Sequence, residues 1–255
     1  MRIKAVAFDF VGTLVKIEER EELALTKLYE ALKSFGLKTS FQDFKEEYSR
    51  AASKYLELRR RTNKEVNNRV WLREALAELG FKGAGDGAIL KTAVEAYFQP
   101  YIESARAPKE VYEVLSKLKG HYELGLISNF TDPPTVHKIL RGEGLLEFFK
   151  EIVISGEVGW RKPHPAIFAK FLSSLSLNPW ESAFVGDDPR YDVKGAKDAG
   201  MVTVLLVGGE TRLSQEYYES RLGEEGARPD YTIRSISELP KLLSIIERAR
   251  CPGPS

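Results

Sequence analysis

The sequence predicts an α/β fold, a mostly parallel sheet wrapped by helices on both faces, with a helical domain inserted after the first strand. Three observations carry this prediction. Short apolar runs of strand length recur along the chain, helix-like segments separate the later runs, and the long interval after the first run holds helical periodicity without a convincing strand.

The first run, Lys4 to Phe8, ends at Asp9 and a Gly-Thr turn. From Glu18 to Pro100 the chain is charged and periodic. Leu23, Leu25, Leu28, Leu32 and Phe35 mark one face of a helix ended near Gly36. A second helix is predicted from Phe41 to about Arg61, a third from Asn67 to Leu79 before Gly80, and a fourth from Ala88 to Phe98, stopped by Pro100. The remaining strands are predicted at Tyr122 to Ser128, Glu151 to Ser155, Ser182 to Gly186 and Met201 to Val207. Helices are predicted between them at Pro108 to Leu118, Thr135 to Leu140, Pro165 to Leu175 and Asp192 to Ala199, and Asp230-Tyr-Thr-Ile233 offers a further edge strand. The expected organisation is therefore a core of residues 1–16 and 101–255 with a helical domain at 17–100.

Composition narrows the function. The chain of 255 residues is 43% hydrophobic and 29% charged, and its net charge of +1 gives no general attraction to nucleic acid or an anionic membrane. No stretch approaches a membrane span, and the first residues run into a strand instead of an apolar leader, so a cytoplasmic protein is expected. The single cysteine, Cys251, excludes an internal disulfide and a thiolate metal cage, and the segment from Arg250 to Ser255 reads as a frayed tail. Few Asn and Gln among many Lys, Arg and Glu match a thermophile's composition.

In open α/β sheets the ligand crevice lies beyond the carboxyl ends of the strands. Asp9 follows the first strand, Ser128 and Asn129 the second, and Asp187 and Asp188 the fourth, while Lys162 lies in the loop after the third. The cluster Gly186-Asp-Asp-Pro-Arg-Tyr-Asp192 together with Asp9 concentrates negative charge at one rim, which a bound cation would relieve. An all-oxygen site with few protein ligands suits Mg²⁺. An Asp nucleophile, a divalent cation and a Lys at one point describe phosphoryl transfer through an aspartyl phosphate.

Four stretches carry a resemblance: Asp9-Phe-Val-Gly-Thr-Leu14, Ile127-Ser-Asn129, Gly159-Trp-Arg-Lys-Pro-His-Pro-Ala-Ile-Phe168, and Val185-Gly-Asp-Asp-Pro-Arg-Tyr-Asp-Val-Lys-Gly-Ala-Lys-Asp-Ala-Gly-Met201. In this order they resemble the four motifs of the haloacid dehalogenase superfamily. The resemblance implies a Rossmann-like core with a helical cap that closes over the site. It implies Asp9 as nucleophile, Lys162 beside it in catalysis, and a metal held by Asp9, the backbone carbonyl of Val11 and Asp187, with Asp188 and Asp192 as further candidates. Ser128 and Lys162 would bind the transferred phosphoryl group, with Thr13 and Asn129 supporting the substrate site. The expected substrate is a small phosphorylated metabolite, handled by a monomer or homodimer.

Val11 departs from the pattern. Phosphatases of this superfamily normally carry there a second Asp, acid to the leaving alcohol and base to water, worth about 10²- to 10⁴-fold. Without it the chain reads as a slow phosphatase, as one acting on good leaving groups such as acyl or aryl phosphates, or as one borrowing an acid from Glu18 or Glu19. Two alternatives stay open: a metal-free dehalogenase or other C–X hydrolase, and a silent phospho-ligand sensor. Phosphonatase chemistry would need a cap lysine such as Lys54 or Lys64.

Several of these residues also have purely structural readings. Asp9 fits a turn acid, Asp187, Asp188 and Asp192 a helix start, Ser128 a cap for the segment beginning at Asp132, and Lys162 a solvated loop charge. His121, His137 and His164 lack metal-ligand spacing. Trp71, Tyr48, Tyr55, Tyr97 and Phe98 are expected to pack helices, and Arg59, Arg60 and Arg61 to form a solvated face.

Overall fold

The computed structural model describes residues 2–207 and 227–250. Its sheet has six parallel strands, β1 (Ala5–Phe8), β2 (Glu123–Ser128), β3 (Glu151–Ile154), β4 (Ser182–Gly186), β5 (Val202–Leu206) and β6 (Tyr231–Ile233), in the order β3-β2-β1-β4-β5-β6. Each predicted run therefore forms a strand, and Tyr231–Ile233 adds the expected edge. Cys251 and the tail from residue 251 lie outside the described residues.

The alternation of β1 explains its place at the centre. Val6 and Phe8 join the apolar cluster of one face, Ala5 and Ala7 that of the other, and all four are fully buried. The first face is covered by α5 (Lys109–Leu118), α6 (Pro133–Gly142) and α10 (Leu239–Arg250), the second by α8 (Pro165–Ser174) and α9 (Lys194–Asp198). A short helix, α7 (Ser155–Val158), follows β3 directly.

Between β1 and α5 come α1 (Glu21–Ser34), α2 (Phe41–Thr62), α3 (Asn68–Glu78) and α4 (Gly87–Ser104), gathered round an apolar cluster of their own that includes Leu28, Phe44, Trp71, Leu76 and Phe98. Ser40 caps α2 and Asn67 caps α3 through side-chain acceptors, and Gly36 and Gly80, both at positive φ, follow the ends of α1 and α3.

Two expectations are corrected. The fourth helix does not stop before Pro100 but runs on to Ser104. An interior proline costs about 3 kcal/mol; here Pro100 is buried, Tyr101 and Ile102 pack on the two apolar clusters, and Ala105 N closes on Tyr101 O at 3.0 Å. The segment beginning at Asp192 is not one regular helix either. A π-helical turn, Pro189–Val193, precedes α9, because Asp188 and Asp192 take backbone N–H groups on their side chains.

Candidate active site

The chain leaves β1 for β2 and β3 on one side and returns to β4 on the other, so a crevice opens at the carboxyl end of β1. Asp9, Ser128 and Asp187 stand at the ends of three neighbouring strands there. Asp9 N donates to Val185 O at 2.8 Å, and the chain then folds back on itself, with Leu14 N and Val15 N both on Phe10 O. Gly12 permits this turn: its φ is +97°, and a Cβ there would stand 2.5 Å from Asp187 Oδ2. Gly12→Ala is expected to lower stability by about 1–3 kcal/mol, read as an earlier midpoint in a urea melt; an unchanged midpoint would contradict this geometry.

Lys162 is not a solvated loop charge. It is 2% exposed, and its Nζ lies 2.5 Å from Asp9 Oδ1 and 2.7 Å from Asp192 Oδ1. Burial opposes its charge, yet Asp192 and Asp9 outweigh that and raise its pKa. The other oxygen of Asp192, Oδ2, accepts from Asp187 N at 3.1 Å and Asp188 N at 3.0 Å. Only glycine fits at 186, where a Cβ would meet Asp192 Oδ2 at 2.4 Å. Asp192 thus ties the ammonium of Lys162 to the turn after β4.

The remaining sequence-picked residues sort by what they touch. Thr13 Oγ1 donates to Asp187 Oδ1 at 3.3 Å. Asn129 grips the backbone of Lys162 from both sides, its Oδ1 accepting from Lys162 N at 2.7 Å and its Nδ2 donating to Lys162 O at 3.1 Å. Asp188 Oδ1 accepts from Arg190 N and Tyr191 N and so caps the π turn. Ser128 is buried at the end of β2, and the segment at Asp132 is capped by Asp132 itself. Val11 is 39% exposed and faces a cleft of about 1030 Å³ between the sheet's rim and the inserted helices.

Tyr48, Trp71, Tyr97 and Phe98 line that cleft as well as packing the insertion, and Glu18 and Glu19 border it, Glu18 held by Arg20 at 2.5 Å. Among the described residues the only lysine lining it is Lys16. Lys54 pairs with Glu74, and Lys64 stands over Trp160. His164 caps α8 and stacks on Trp160 at 3.9 Å.

Arg59 departs from the expected solvated face. Its guanidinium, whose pKa burial lowers to about 10, reaches back to the loop after α2, with Nε 3.0 Å from Glu65 Oε1 and Cζ 4.7 Å from the Trp71 ring centre. Arg161 Nη1 donates to Glu65 Oε2 at 2.6 Å. Arg161 and Glu65 are 96 positions apart, so sequence spacing holds no signal of the contact.

Asp9, Asp187 and Asp192 bring one carboxylate oxygen each within 4.8 Å of the others. Burial and the charge of its neighbours push the pKa of Asp187 up to about 8; burial, against the pull of Lys162, pushes that of Asp192 up to about 7. One lysine does not neutralise three carboxylates, of which Asp9 and Asp192 are buried and Asp187 half-buried, and this crowded oxygen set fits a small divalent cation.

The sequence profile of haloacid dehalogenase-like hydrolases matches residues 3–200. The glyceraldehyde 3-phosphate phosphatase of Pyrococcus furiosus is 31% identical over 249 residues, covering 97% of this chain and 94% of the relative. Among solved structures, a 2-haloacid dehalogenase from Pseudomonas syringae matches with a TM-score of 0.68 at 22% identity, covering 96% and 99% of the two chains. The HAD-hydrolase YfnB of Bacillus subtilis, bound to magnesium, matches with a TM-score of 0.62 at 22% identity, covering 96% and 100%. These structural likenesses extend the agreement in fold over both the sheet and the inserted helices.

Proposed function

Since this chain belongs to the haloacid dehalogenase-like hydrolase family, we propose that it is a Mg²⁺-dependent phosphatase of a small phosphorylated metabolite, working through a phospho-aspartyl intermediate at Asp9. The observation that carries this reading is the convergence of Asp9, Asp187 and Asp192 on one point with the buried ammonium of Lys162 against two of them. The relative named as a phosphatase over nearly the whole chain supports the same class.

In this reading a carboxylate oxygen of Asp9 attacks phosphorus, the P–O bond to the leaving group breaks, and water then cleaves the acyl phosphate. Lys162 offsets the charge of nucleophile and phosphoryl group, and Ser128 donates its hydroxyl to the transferred group. Asn129 fixes Lys162 by its backbone and Thr13 steadies Asp187. Asp192 serves mainly to hold Lys162 and the turn at Asp187, and Asp188 acts as a cap. Asp9, Asp187 and the carbonyl of Val11 would hold the metal, which supplies charge neutralisation and Lewis-acid polarisation of the phosphoryl oxygens. Residues 17–100 form the cap, which closes over the site and selects the leaving group.

Val11 supplies no proton, so departure depends on the leaving group's own acidity. Phosphate release from p-nitrophenyl phosphate is expected with Mg²⁺ and lost in EDTA, and Val11→Asp is expected to raise turnover of alkyl phosphates by about 10²-fold or more while changing the aryl substrate little. Halide release from a 2-haloacid in EDTA, without phosphate release, would overturn the reading. Mg²⁺ is also expected to stabilise the fold, by about 2–3 kcal/mol at a hundredfold excess over its Kd. Most of that gain should vanish in Asp187→Asn, as thermal melts will read; an equal gain in both would place the cation elsewhere.

A further inference from the structure

The loop between α2 and α3 lies on the core and carries a charge arrangement that the phosphoryl chemistry leaves unused. Glu65 N donates to Gly159 O at 2.9 Å, Arg161 N to Asn63 O at 2.8 Å, and Asn67 Nδ2 to Thr131 O at 2.9 Å. Within this seam the Glu65 carboxylate, whose side chain is 1% exposed, accepts from Ser155 Oγ and from Arg161, and is paired with Arg59. Ser155 is itself anchored by Phe130 N, which donates to its Oγ at 3.0 Å.

Two guanidinium groups share one carboxylate, so the cluster keeps a positive charge. Both arginines line the cleft that holds Val11 and Asp187, and Arg161 directly precedes Lys162 in the chain. A single arginine would satisfy Glu65 as a tie between insertion and core. The second adds a partly buried charge that costs stability unless an anion meets it. Both are held in place: Arg59 by Trp71, by Val66 O and by Glu65, Arg161 by Glu65. Of the acids lining the cleft, Glu18, Glu19 and Glu21 come from the start of α1 and the segment before it, and Asp187 and Asp188 from the turn after β4, whereas Arg59 and Arg161 stand together where the insertion meets the core. The planar fork of a guanidinium matches an oxyanion, and two fixed forks favour one more strongly than a neutral hydroxyl.

We propose that Arg59 and Arg161 form a subsite for a second oxyanion of the substrate, which makes the preferred class small organic phosphates bearing a carboxylate or a second phosphate. Glu65 orients the pair and does not itself touch substrate. This proposal rests on the phosphatase reading and names the substrate class of that site.

The test compares kcat/KM for 3-phosphoglycerate, fructose 1,6-bisphosphate, glycerol 3-phosphate and glyceraldehyde 3-phosphate in the natural protein, Arg59→Gln and Arg161→Gln, with p-nitrophenyl phosphate as a control for turnover itself. One or both dianionic-ended substrates should exceed glycerol 3-phosphate by about tenfold, and each variant should erase most of that ratio through KM. Which of the two is favoured separates carboxylate from phosphate. If the natural protein shows no preference, or if the variants lower all substrates by one common factor, the pair merely ties insertion to core and the proposal is overturned. Should p-nitrophenyl phosphate itself yield no phosphate, the phosphatase reading fails separately. Calorimetric binding of 3-phosphoglycerate and fructose 1,6-bisphosphate then reads the subsite alone: binding weakened about tenfold in Arg161→Gln upholds it, and binding absent or unaltered removes it.

Discussion

Asp9→Asn should abolish phosphate release, by a factor on the order of 10⁴ to 10⁶ as expected when a covalent nucleophile is removed, and should leave the fold intact. The amide still offers an oxygen to Lys162 Nζ, which keeps its contact with Asp192. One negative charge leaves a site where Asp187 and Asp192 already have raised pKa values, so the melting temperature of the metal-free variant should equal or exceed that of the natural protein. Residual turnover within tenfold of the natural rate would show that the reaction does not pass through Asp9. A large fall in melting temperature would show instead that the carboxylate is structural.

Lys162→Met should be the most damaging single change to stability. The ammonium lies within hydrogen-bond distance of both Asp9 and Asp192, and it is almost fully buried. Removing one member of a buried ion pair costs about 3–5 kcal/mol, because the partner's charge is left uncompensated. Three carboxylates would then face one another, so the loss should be larger in EDTA than in Mg²⁺. Adding Asp192→Asn should recover part of the stability but none of the activity. Urea melts of the two variants decide this: equal midpoints for Lys162→Met and the natural protein would mean that the pair is solvated and weak.

The sequence was most legible where local chemistry and topology coincide. Buried parallel strands are short apolar runs, and the first, second and fourth runs end at Asp9, Ser128 and Asp187, whose identities marked the rim. Asp9, Ser128 and Asp187 could be placed together because a parallel sheet brings its strand ends to one side. The first three inserted helices were legible through their periodicity and through Gly36 and Gly80, which follow the ends of α1 and α3, while the caps Ser40 and Asn67 emerge from the structure. Pro100 misled, since its local cost is outweighed by packing that periodicity does not weigh.

The division of labour within the site was less legible. Thr13 and Asn129 have the right chemistry to touch substrate, and only coordinates put their hydrogen bonds on Asp187 and Lys162. Asp188 and Asp192 look alike in the sequence; what separates them is that Asp188 caps a turn while Asp192 is buried against an ammonium. Arg59 sits in a run of three arginines that reads as a solvated face. Its burial follows from Glu65 and Trp71, which a left-handed Asn63 and the turn into α3 bring round to it.

The central claim is that phosphate passes through a covalent bond to Asp9. A single-turnover reaction with an aryl phosphate labelled in its phosphoryl group, run with Mg²⁺ and quenched in acid, tests it most directly. The account predicts label on the peptide containing Asp9 at early times, discharged as free phosphate appears and absent from Asp9→Asn. Free phosphate formed at the full rate with no labelled peptide at any time would contradict it.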